Sequence, residues 1–485
     1  MRKPYKLIFE KHCIDRRAAD LPALDVPKMD GLVPQACLGE ALPLPSLSEM
    51  DLVRHYTGLS RRNFGVDNGS YPLGSCTMKY NPKLNEELTA HFNDLHPLLD
   101  DDALSAAYEL QFALDRALCA VCGMDKFTLQ PAAGAHGELT GLMVMRSYHN
   151  MRQDFLRAEM LIPDAAHGTN PASATMAGFK AVELKSLPDG GVDVEALKQA
   201  VSEKTAGLML TNPNTLGLFE KNILEITQIV HDAGGLVYYD GANINAIMGK
   251  ARPGDMGFDV MHVNLHKSFG TPHGGGGPGA GPVGVKKELI PFLPAPLIMK
   301  KNGRARPDYD RPLSIGRVKA FNGNFGVLVK AYAYILSLGA DGLREASEAA
   351  VLNANYLRHY LKDVYELPYD GLCMHEFVLT PGALNEQGIH NVDIAKALID
   401  YGYHPPTISF PLIVREAMMF EPTETESRED LDGLIYALRQ IAETAKTDPD
   451  SLRSAPLTTP VGRPDETRAA RNPIVIAPLS SSDRL

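Results

Sequence analysis

Residues 236–267 read LVYYDGANINAIMGKARPGDMGFDVMHVNLHK and contain two apolar runs, LVYYD at 236–240 and DVMHVNL at 259–265. Each run has the length of a buried strand, and the stretch between them is long enough for one crossover. Strands joined by such a crossover run parallel and end at the same edge of a sheet. The stretch therefore predicts a parallel sheet with Asp240 and Lys267 at its carboxyl edge.

The same alternation extends upstream. EMLIP at 159–163 precedes the helix-like PASATMAGF, and GLMLT at 207–211 precedes the helical pattern NILEITQIVHDAGG. In that pattern Asn222 is a candidate cap, and Gly234 and Gly235 are a stop signal. Short strands that alternate with helices are typical of α/β proteins with a mostly parallel sheet.

The 485 residues divide into four predicted segments. They are an irregular, Pro-rich segment over 1–90, a large α/β domain over 91–320, a smaller α+β domain over 321–447, and an extended arm or disordered tail over 448–485. The smaller domain should begin with a long helix shortly after residue 320, because its first residues have helical periodicity.

Composition and charge limit the function classes. The chain is 44% apolar with a net charge of -11, and its Lys and Arg residues are scattered, so a basic surface for nucleic acid is not expected. No apolar run has the length needed to span a bilayer, and the basic amino terminus lacks a following apolar signal region. We expect a soluble, cytoplasmic protein with neither a nucleic-acid nor a membrane partner.

The six cysteines are few and irregularly spaced, which favours a reducing compartment over a disulfide framework. Cys119 and Cys122 form a CxxC pair at the end of a helical pattern that starts near residue 104. A spacing of three places both thiols on one helix face, and no second pair or nearby His completes a zinc site. We expect buried structural thiols and no metal.

Lys267 stands just before a glycine-dense loop, in the stretch NLHKSFGTPHGGGGPGAGP at 264–282. A lysine that leaves a buried strand is costly unless its charge is lost or paired. Formation of a Schiff base with a carbonyl cofactor consumes the amine and solves this problem. The glycines would let backbone N–H groups approach a phosphate. A surface lysine beside a flexible loop is the alternative for this stretch taken alone.

Two residues at other strand ends favour the cofactor interpretation. Asp240 can pair with the pyridine nitrogen of a cofactor and keep the ring protonated, although a capping or turn aspartate is the alternative. His167, which follows the run at 159–163, can stack on one face of a planar ring and leave the small Ala242 for the other face. A core or turn histidine is the alternative for His167.

A fourth element is QPAAGAHGE at 130–138, which precedes a helix-like pattern. A Gly-rich turn at a helix N-terminus is a ready anion site, and here it would offer Gly134 and Ala135 to the cofactor phosphate. One such turn is weak evidence. Four elements in this order, each at a strand or helix junction, together indicate a cofactor lysine.

The longer strings resemble a known family. YPLGSCTMKYNPK, AHGTNPASA, TNPNTLGLFE, DGANINAI, NLHKSFGTPHGGGGPG and GYHPPTISFPLIVREAMMFEPTETES are similar to the glycine dehydrogenases (decarboxylating), the fold-type-I pyridoxal-phosphate P-proteins of the glycine cleavage system. The resemblance runs from about residue 60 to 427. P-proteins occur as one long chain or as two subunits of about half that size, and this sequence resembles the second subunit, which carries the lysine.

The resemblance implies a role for each candidate. Lys267 would hold pyridoxal 5′-phosphate as a Schiff base, Asp240 would pair with the pyridinium, and His167 and Ala242 would flank the ring. The lesser assignments place Gly134, Ala135 and His266 at the phosphate and Asn212 near the ring hydroxyl. Ser75, Cys76 and Thr77 are candidates for the substrate side, with a structural loop as the alternative.

The implied reaction is decarboxylation of glycine with transfer of the aminomethyl group to the lipoyl arm of the H-protein. The implied partner is subunit 1, in a heterotetramer with two copies of each subunit. Another fold-type-I activity, such as an aminotransferase or an amino-acid decarboxylase, would share the Lys and Asp but not the YPLGSCTMKYNPK and HPPT strings. A non-enzymatic cofactor-binding scaffold is the second alternative, and the intact Lys267 and Asp240 argue against a dead site.

Overall fold

The structure is a computed structural model that describes residues 6–13, 15–29, 31–39, 44–274 and 277–475. The contacts divide the chain into two units, one formed by residues 69–453 and the other by residues 1–68 and 454–485. Within the described ranges, no helix combines the length and the apolar character that a membrane crossing needs.

The strands of the described residues form three sheets. They are β1 (Lys126–Thr128), β2 (Glu159–Pro163), β3 (Lys180–Leu184), β4 (Thr205–Thr211), β5 (Leu236–Gly241), β6 (Val260–Val263), β7 (Val283–Val285), β8 (Leu297–Lys301), β9 (Arg304–Asp308), β10 (Phe377–Leu379), β11 (Thr407–Ile408) and β12 (Met418–Phe420).

The α-helices of the same residues vary from one turn to ten. They are α1 (Glu49–Ser60), α2 (Lys83–Ala90), α3 (Ser105–Cys122), α4 (Gly134–Met151), α5 (Thr169–Met176), α6 (Val194–Ala200), α7 (Ile223–Asp232), α8 (Leu265–Ser268), α9 (Phe325–Leu361), α10 (Asn391–Asp400), α11 (Arg428–Thr447), α12 (Pro449–Ser454) and α13 (Glu466–Arg471).

The largest sheet has seven strands in the order β1-β7-β6-β5-β4-β2-β3. Neighbouring strands from β6 to β3 are parallel, whereas β7 is antiparallel to both β6 and β1. The predicted runs at 159–163, 207–211 and 236–240 lie in β2, β4 and β5. The predicted α/β fold with a mostly parallel sheet is confirmed.

Helices cover both faces of this sheet. Helices α3, α7 and α9 contribute Leu118, Ile226 and Leu328 to one core, and α4 contributes Leu142 to the core on the opposite face. Helix α4 packs closely on the sheet at Gly141. A Cβ at this position would lie only 2.4 Å from the Tyr238 ring, so the lack of a side chain allows the close approach. The burial of strands on both faces explains why they read as continuous apolar runs rather than as alternating ones.

Helix α7 shows where local sequence logic holds and where it fails. Its stripe of Ile223, Ile226 and Val230 is buried as the 3.6-residue periodicity predicts. Asn222 occupies the N-cap position, but its side chain makes no capping hydrogen bond, so that part of the prediction is wrong. The apolar stripe therefore fixes this helix more than its cap does.

The C-terminal part of the 69–453 unit forms the predicted smaller α+β structure. Its sheet has the order β10-β12-β11, and helices α10 and α11 pack against each other. The predicted long helical stretch is present as α9, but it is interrupted at Gly339, whose φ of +63° is not helical. Ser427 caps α11 by accepting a hydrogen bond from the Asp430 N–H at 3.2 Å. The segment boundaries near residues 90, 320 and 447 stay predictions.

The terminal segments contain more helix than the sequence predicts. Residues 1–90 include α1 and α2, and α1 is capped by Ser48, which accepts from the Asp51 N–H at 3.2 Å. The predicted tail from 448 contains α12 and α13, and its last ten residues, 476–485, lie outside the described ranges. Helices α1, α2 and α13 bury no apolar side chain, so no buried apolar stripe indicated them in the sequence.

The CxxC pair lies where the sequence predicts it, on α3. Both Cys119 and Cys122 are buried and pack into the core beside the large sheet. Burial raises the pKa of the Cys119 thiol to about 12, so both the location and the charge state of this thiol suit a structural role.

Candidate functional site

The carboxyl edge of the large sheet collects four of the predicted site residues. Asp240 lies at the end of β5, Asn212 follows β4, His167 follows β2 and Lys267 lies in α8, directly after β6. The four strands are parallel neighbours, so their carboxyl ends share one edge.

Asp240 is fully buried and held by three groups. Its Oδ2 accepts a hydrogen bond from Asn170 Nδ2 at 3.0 Å, and its Oδ1 accepts from the Ala242 N–H at 3.0 Å and lies 3.3 Å from His262 Nε2. Burial alone would raise the pKa of Asp240. The His262 ring, the two hydrogen bonds and the charge of Lys267 outweigh burial and hold this pKa below its ordinary value.

His262 and Glu138 lie next to Asp240, and the sequence analysis predicted neither of them. Ligand-type atoms of Glu138, Asp240 and His262 lie within 4.8 Å of one another. His262 Nδ1 is 2.8 Å from the hydroxyl of Tyr238, so the ring is oriented by a hydrogen bond on one side and by its contact with the Asp240 carboxylate on the other. A histidine inside the apolar run of β6 was the available signal, because a buried polar side chain requires partners.

His167 is oriented through Thr169. Its Nδ1 lies 3.3 Å from the Thr169 backbone nitrogen and 2.8 Å from the Thr169 hydroxyl oxygen, and this hydroxyl in turn donates to Glu138 Oε1 at 2.7 Å. The other neighbour of the ring is Phe410, with ring centroids 5.5 Å apart. The position of His167 is therefore set by Thr169 in α5 and by Phe410, which follows β11.

Lys267 is partly buried, and its amine has no hydrogen-bond or ion-pair partner among the residues that the structure describes. Its charge lowers the pKa of both Asp240 and the Cys76 thiol, which places the three groups in one electrostatic neighbourhood. Burial and Lys267 together lower the pKa of His266 to about 3, so this ring is neutral at physiological pH. A nucleophilic amine needs such a setting, free of a fixed salt bridge.

Gly134 begins α4, and no side chain caps that helix end. A Cβ on Gly134 would lie 2.5 Å from Asn264 Nδ2, so an added side chain would displace the Asn264 amide or the start of α4. His266 Nδ1 accepts from the Ala280 N–H at 3.4 Å on the same side, while Ala135 is exposed. Of the predicted glycine loop, residues 275–276 lie outside the described ranges.

Several buried polar atoms along this edge have no hydrogen-bond partner among the described residues. Asn212 is the clearest case, because its Oδ1 accepts from the Glu220 N–H at 2.9 Å while its Nδ2 is left over. The others near the sheet edge are Asn264 Oδ1, Ser268 Oγ and Thr271 Oγ1. Buried polar groups are rarely left unpaired, so a polar ligand fits this edge.

Ser75, Cys76 and Thr77 form a tight turn near Lys267. Ser75 and Thr77 have φ values of +60° and +44°, which non-glycine residues rarely adopt. The Ser75 N–H donates to Glu376 Oε2 at 2.7 Å, and the Thr77 N–H donates to Glu421 Oε2 at 2.9 Å. Burial raises the pKa of the Cys76 thiol, and Lys267 only partly offsets this, so the thiol is neutral.

A buried ion pair lies beside this turn. Lys79 Nζ contacts Glu424 Oε1 at 2.5 Å and donates to Asn245 Oδ1 at 2.7 Å and to the Ser268 carbonyl oxygen at 3.1 Å. The pair therefore ties the turn to the residue that follows Lys267. The sequence reading missed this pair, although Lys79 and Glu424 both lie in strings that it singled out.

The comparisons with known proteins agree on one family. The sequence profile of the glycine dehydrogenase C-terminal domain matches residues 346–455. The chain is 57% identical to a probable glycine dehydrogenase (decarboxylating) subunit 2 of Caldanaerobacter subterraneus subsp. tengcongensis over 481 residues, 98% of this chain and 99% of that protein. It is 59% identical to the protein of the same description in Alkaliphilus oremlandii over 483 residues, again 98% and 99% of the two chains.

Solved structures show the same fold at lower identity. A crystal structure of the glycine decarboxylase (P-protein) of the glycine cleavage system, in inhibitor-bound form, matches with a TM-score of 0.71 at 20% identity, covering 84% of this chain and 93% of that chain. The sphingosine-1-phosphate lyase of Burkholderia pseudomallei K96243 matches with a TM-score of 0.62 at 15% identity, covering 86% and 94%. The fold is that of the fold-type-I enzymes, and by full-length identity the chain belongs to the glycine dehydrogenase (decarboxylating) subunit 2 family.

Proposed function

We propose that this chain is the cofactor-binding subunit of a two-subunit glycine dehydrogenase, which decarboxylates glycine and passes the aminomethyl group to the lipoyl arm of the H-protein. The observation that carries the proposal is one sheet edge shared by Lys267, whose amine has no partner among the described residues, and the ionised carboxylate of Asp240. Membership of the family supplies the substrate, because its members are described as decarboxylating glycine dehydrogenases.

The residues at this edge fit pyridoxal 5′-phosphate. Lys267 would hold it through a Schiff base and Asp240 would face its ring nitrogen. The leftover Asn212 Nδ2 is a buried donor suited to the ring hydroxyl. At the phosphate, the uncapped start of α4 at Gly134 offers backbone N–H groups and the positive end of the helix dipole.

When bound, pyridoxal phosphate supplies a protonated ring that draws off the electron pair left behind when carbon dioxide leaves glycine. Asp240 keeps that ring nitrogen protonated, since its own pKa is held low and it stays an anion. Asn170 and His262 hold the carboxylate in place from two sides. When its amine is not bonded to the cofactor, Lys267 would hold or return a proton beside the substrate nitrogen.

The remaining predicted residues take supporting positions. His167, oriented by Thr169, would lie on one side of the cofactor ring and Ala242 on the other. His266 is neutral and therefore acts near the phosphate as a hydrogen-bonding group rather than as a cation. Ser75, Cys76 and Thr77 form the wall on the substrate side, and Ala135 offers its backbone N–H in the first turn of α4.

In the transfer step the aminomethyl carbon forms a bond to one sulfur of the lipoyl disulfide as the S–S bond breaks. The second sulfur takes up a proton, so the disulfide is reduced while the glycine carbon is oxidised. A disulfide on a long arm must reach Lys267 from a second protein, which accounts for the H-protein in the proposal. The relatives are described as subunit 2, which supports a partner subunit 1, and we propose two copies of each.

The test is the exchange of labelled bicarbonate into the carboxyl group of glycine. We expect exchange when the chain is combined with subunit 1 and lipoylated H-protein, and none when either is omitted. Full glycine-dependent activity of the purified chain alone would refute the two-subunit assignment. Transamination of glycine with a keto acid would assign the chain to another fold-type-I activity.

A further inference from the structure

Glu376 and Glu421 leave the C-terminal sheet side by side. Phe377 in β10 pairs with Phe420 in the antiparallel strand β12, so the residue before the first and the residue after the second are adjacent. Both glutamates are fully buried, at 0% exposure. Carboxyl groups are almost never fully buried unless they have partners or a function.

The partners of these carboxyl groups are the two strained residues of the substrate-side turn. Glu376 accepts the Ser75 N–H at 2.7 Å, and Glu421 accepts both the N–H and the hydroxyl of Thr77. Left-handed φ values in non-glycine residues persist only where the surroundings over-determine them. Here the two carboxyl groups hydrogen-bond to the residues on either side of Cys76, and these contacts hold both residues in their left-handed conformations.

Glu376 is itself fixed from the cofactor side. Asn243 Nδ2, three residues beyond Asp240 in sequence, donates to Glu376 Oε1 at 3.1 Å. Gly217, in the loop after β4, has a φ of +76°, and a Cβ there would be 1.8 Å from the carbonyl oxygen of Glu376. The Met374 N–H also donates to the Gly217 carbonyl oxygen at 2.7 Å. The clamp is therefore built against the loops that carry Asn212 and Asp240.

The charges around the pair favour one proton between the two carboxyl groups. Ligand-type atoms of Glu376, Glu421 and His375 lie within 4.8 Å of one another. Burial and the neighbouring Glu421 raise the pKa of Glu376 well above its ordinary value, and burial lowers the pKa of His375 to about 3. The cations that face the pair are Lys267 and Lys79, and the thiol that faces it is Cys76.

We propose that Glu376 and Glu421 are positioning residues that together clamp the Ser75–Thr77 turn against Lys267, and that they retain one proton between them. The pair thereby fixes the wall that glycine contacts and adds a single negative charge to the neighbourhood of the lysine. This inference rests on the proposed function, since it takes the turn as the substrate wall. Nothing in it requires the carboxyl groups to touch the substrate.

Alkylation of Cys76 by iodoacetamide reports on the clamp without any glycine chemistry. The full-length chain would be labelled and digested. The alkylation rate at Cys76 would then be compared with the rate at the exposed Cys37, which serves as the internal reference. We expect Glu376→Ala and Glu421→Ala to raise the Cys76 rate about tenfold, as loss of a charge-assisted hydrogen bond implies, with Cys37 unchanged. Glu376→Gln and Glu421→Gln keep an acceptor oxygen and should stay within about threefold of the parent.

Folded alanine variants that label Cys76 at the parental rate would overturn the clamp, and so would glutamine variants as fast as alanine variants. If the alanine variants do not fold, Thr77→Val removes only the hydroxyl contact with Glu421, and an unchanged Cys76 rate would then overturn the proposal. The retained proton is tested by infrared spectroscopy at a pH well above 7, where Glu421 and Glu426 are ionised. Under these conditions Glu376→Gln should remove the C=O stretch of a protonated carboxylic acid, and the absence of that band from the parent would refute this part.

Glycine kinetics of the two-subunit holoenzyme complete the test. We expect the alanine variants to raise KM for glycine about tenfold while kcat changes less, because the turn would no longer be held in its binding geometry. A fall in kcat with unchanged KM would overturn the positioning role. If the parent complex shows no glycine exchange but Cys76 labelling responds as expected, the proposed function fails and the clamp stands.

Discussion

The side-chain amide of Asn170 donates a hydrogen bond to the carboxylate of Asp240 across 3.0 Å, and this contact joins α5 to the end of β5. Both side chains are buried, and the Ala242 N–H and the His262 ring complete the surroundings of the carboxylate. A buried carboxylate with these partners stays ionised and keeps one orientation. The expected role of Asp240 therefore depends on residues that are not acidic themselves.

Replacing Asp240 by Ala should slow labelled-bicarbonate exchange roughly a hundredfold, because a preorganised charge at the cofactor ring is lost. Cofactor capture should persist, since Lys267 and the start of α4 are unchanged. Asn170→Ala should be milder, about tenfold, because it removes one hydrogen bond from the charged group. Cofactor absorbance and exchange rate are the two measurements, and complete loss of cofactor from a folded Asp240→Ala variant would contradict the assigned role.

Lys267→Ala should abolish the borohydride-reducible link between the chain and pyridoxal phosphate, because the variant has no amine at that position. Peptide mass spectrometry of the reduced protein locates the link. Lys180→Ala is the matched control, since Lys180 is exposed on β3 and should leave the adduct on Lys267 in place. An adduct on another lysine in the parent protein would refute the assignment.

Much of the sheet could be predicted because its central strands are buried on both faces. β2 coincides with the apolar run at 159–163, and the runs at 207–211 and 236–240 lie within one or two residues of the ends of β4 and β5. β1 and β7 have three residues each, too few for a period or a run to be recognised. β3 was not predicted because its burial pattern is mixed and its first residue is exposed.

The site residues likewise include some that the sequence could predict and some that it could not. Residues at strand ends, such as Asp240 and Lys267, could be predicted because parallel strands place their carboxyl ends together. Glu376 and Glu421 could not, because they meet the Ser75–Thr77 turn across more than 300 residues of sequence. Contacts at such separation leave no local pattern, and a charged residue next to an apolar strand was the available signal.

Gly134→Ala should weaken binding of pyridoxal phosphate about tenfold or more, because its Cβ would lie 2.5 Å from Asn264 Nδ2 and would displace either the Asn264 amide or the start of α4 at the proposed site. Spectroscopic titration with the cofactor measures this change. Gly371→Ala is the control, since an added Cβ there meets nothing within 4 Å. Equal affinity of the two variants would remove Gly134 from the proposed phosphate site.

Lys79→Met should lower the free energy of unfolding by about 3–5 kcal/mol, because it leaves Glu424 buried without its cation. The double variant Lys79→Met, Glu424→Gln should lose less than the sum of the two single variants, since no unpaired charge remains. Urea denaturation measures all three variants. Additive losses would mean that the two side chains do not interact in solution.

Burial raises the pKa of Glu421 from its ordinary value of 4.5 to about 7, despite the hydrogen bonds from Thr77 and the nearby charges of Lys267 and Lys79. Between these two values the folded chain holds a proton that the unfolded chain has released. The contribution of Glu421 to stability is therefore fully present below pH 4.5, falls as the pH rises, and is lost above about 7.

Glu421→Gln should flatten this decline, so the difference in unfolding free energy between parent and variant should change between pH 4.5 and 7 and be constant outside that window. Urea denaturation at a series of pH values gives the slope. Glu426→Gln should also reduce the slope of unfolding free energy against pH, because burial raises the pKa of Glu426 to about 7 as well. Glu429→Gln, on the exposed first turn of α11, should leave the parental slope unchanged. A Glu421→Gln variant that keeps the full parental slope would show that this carboxyl group ionises normally, and Glu376 alone would then hold the proton of the pair.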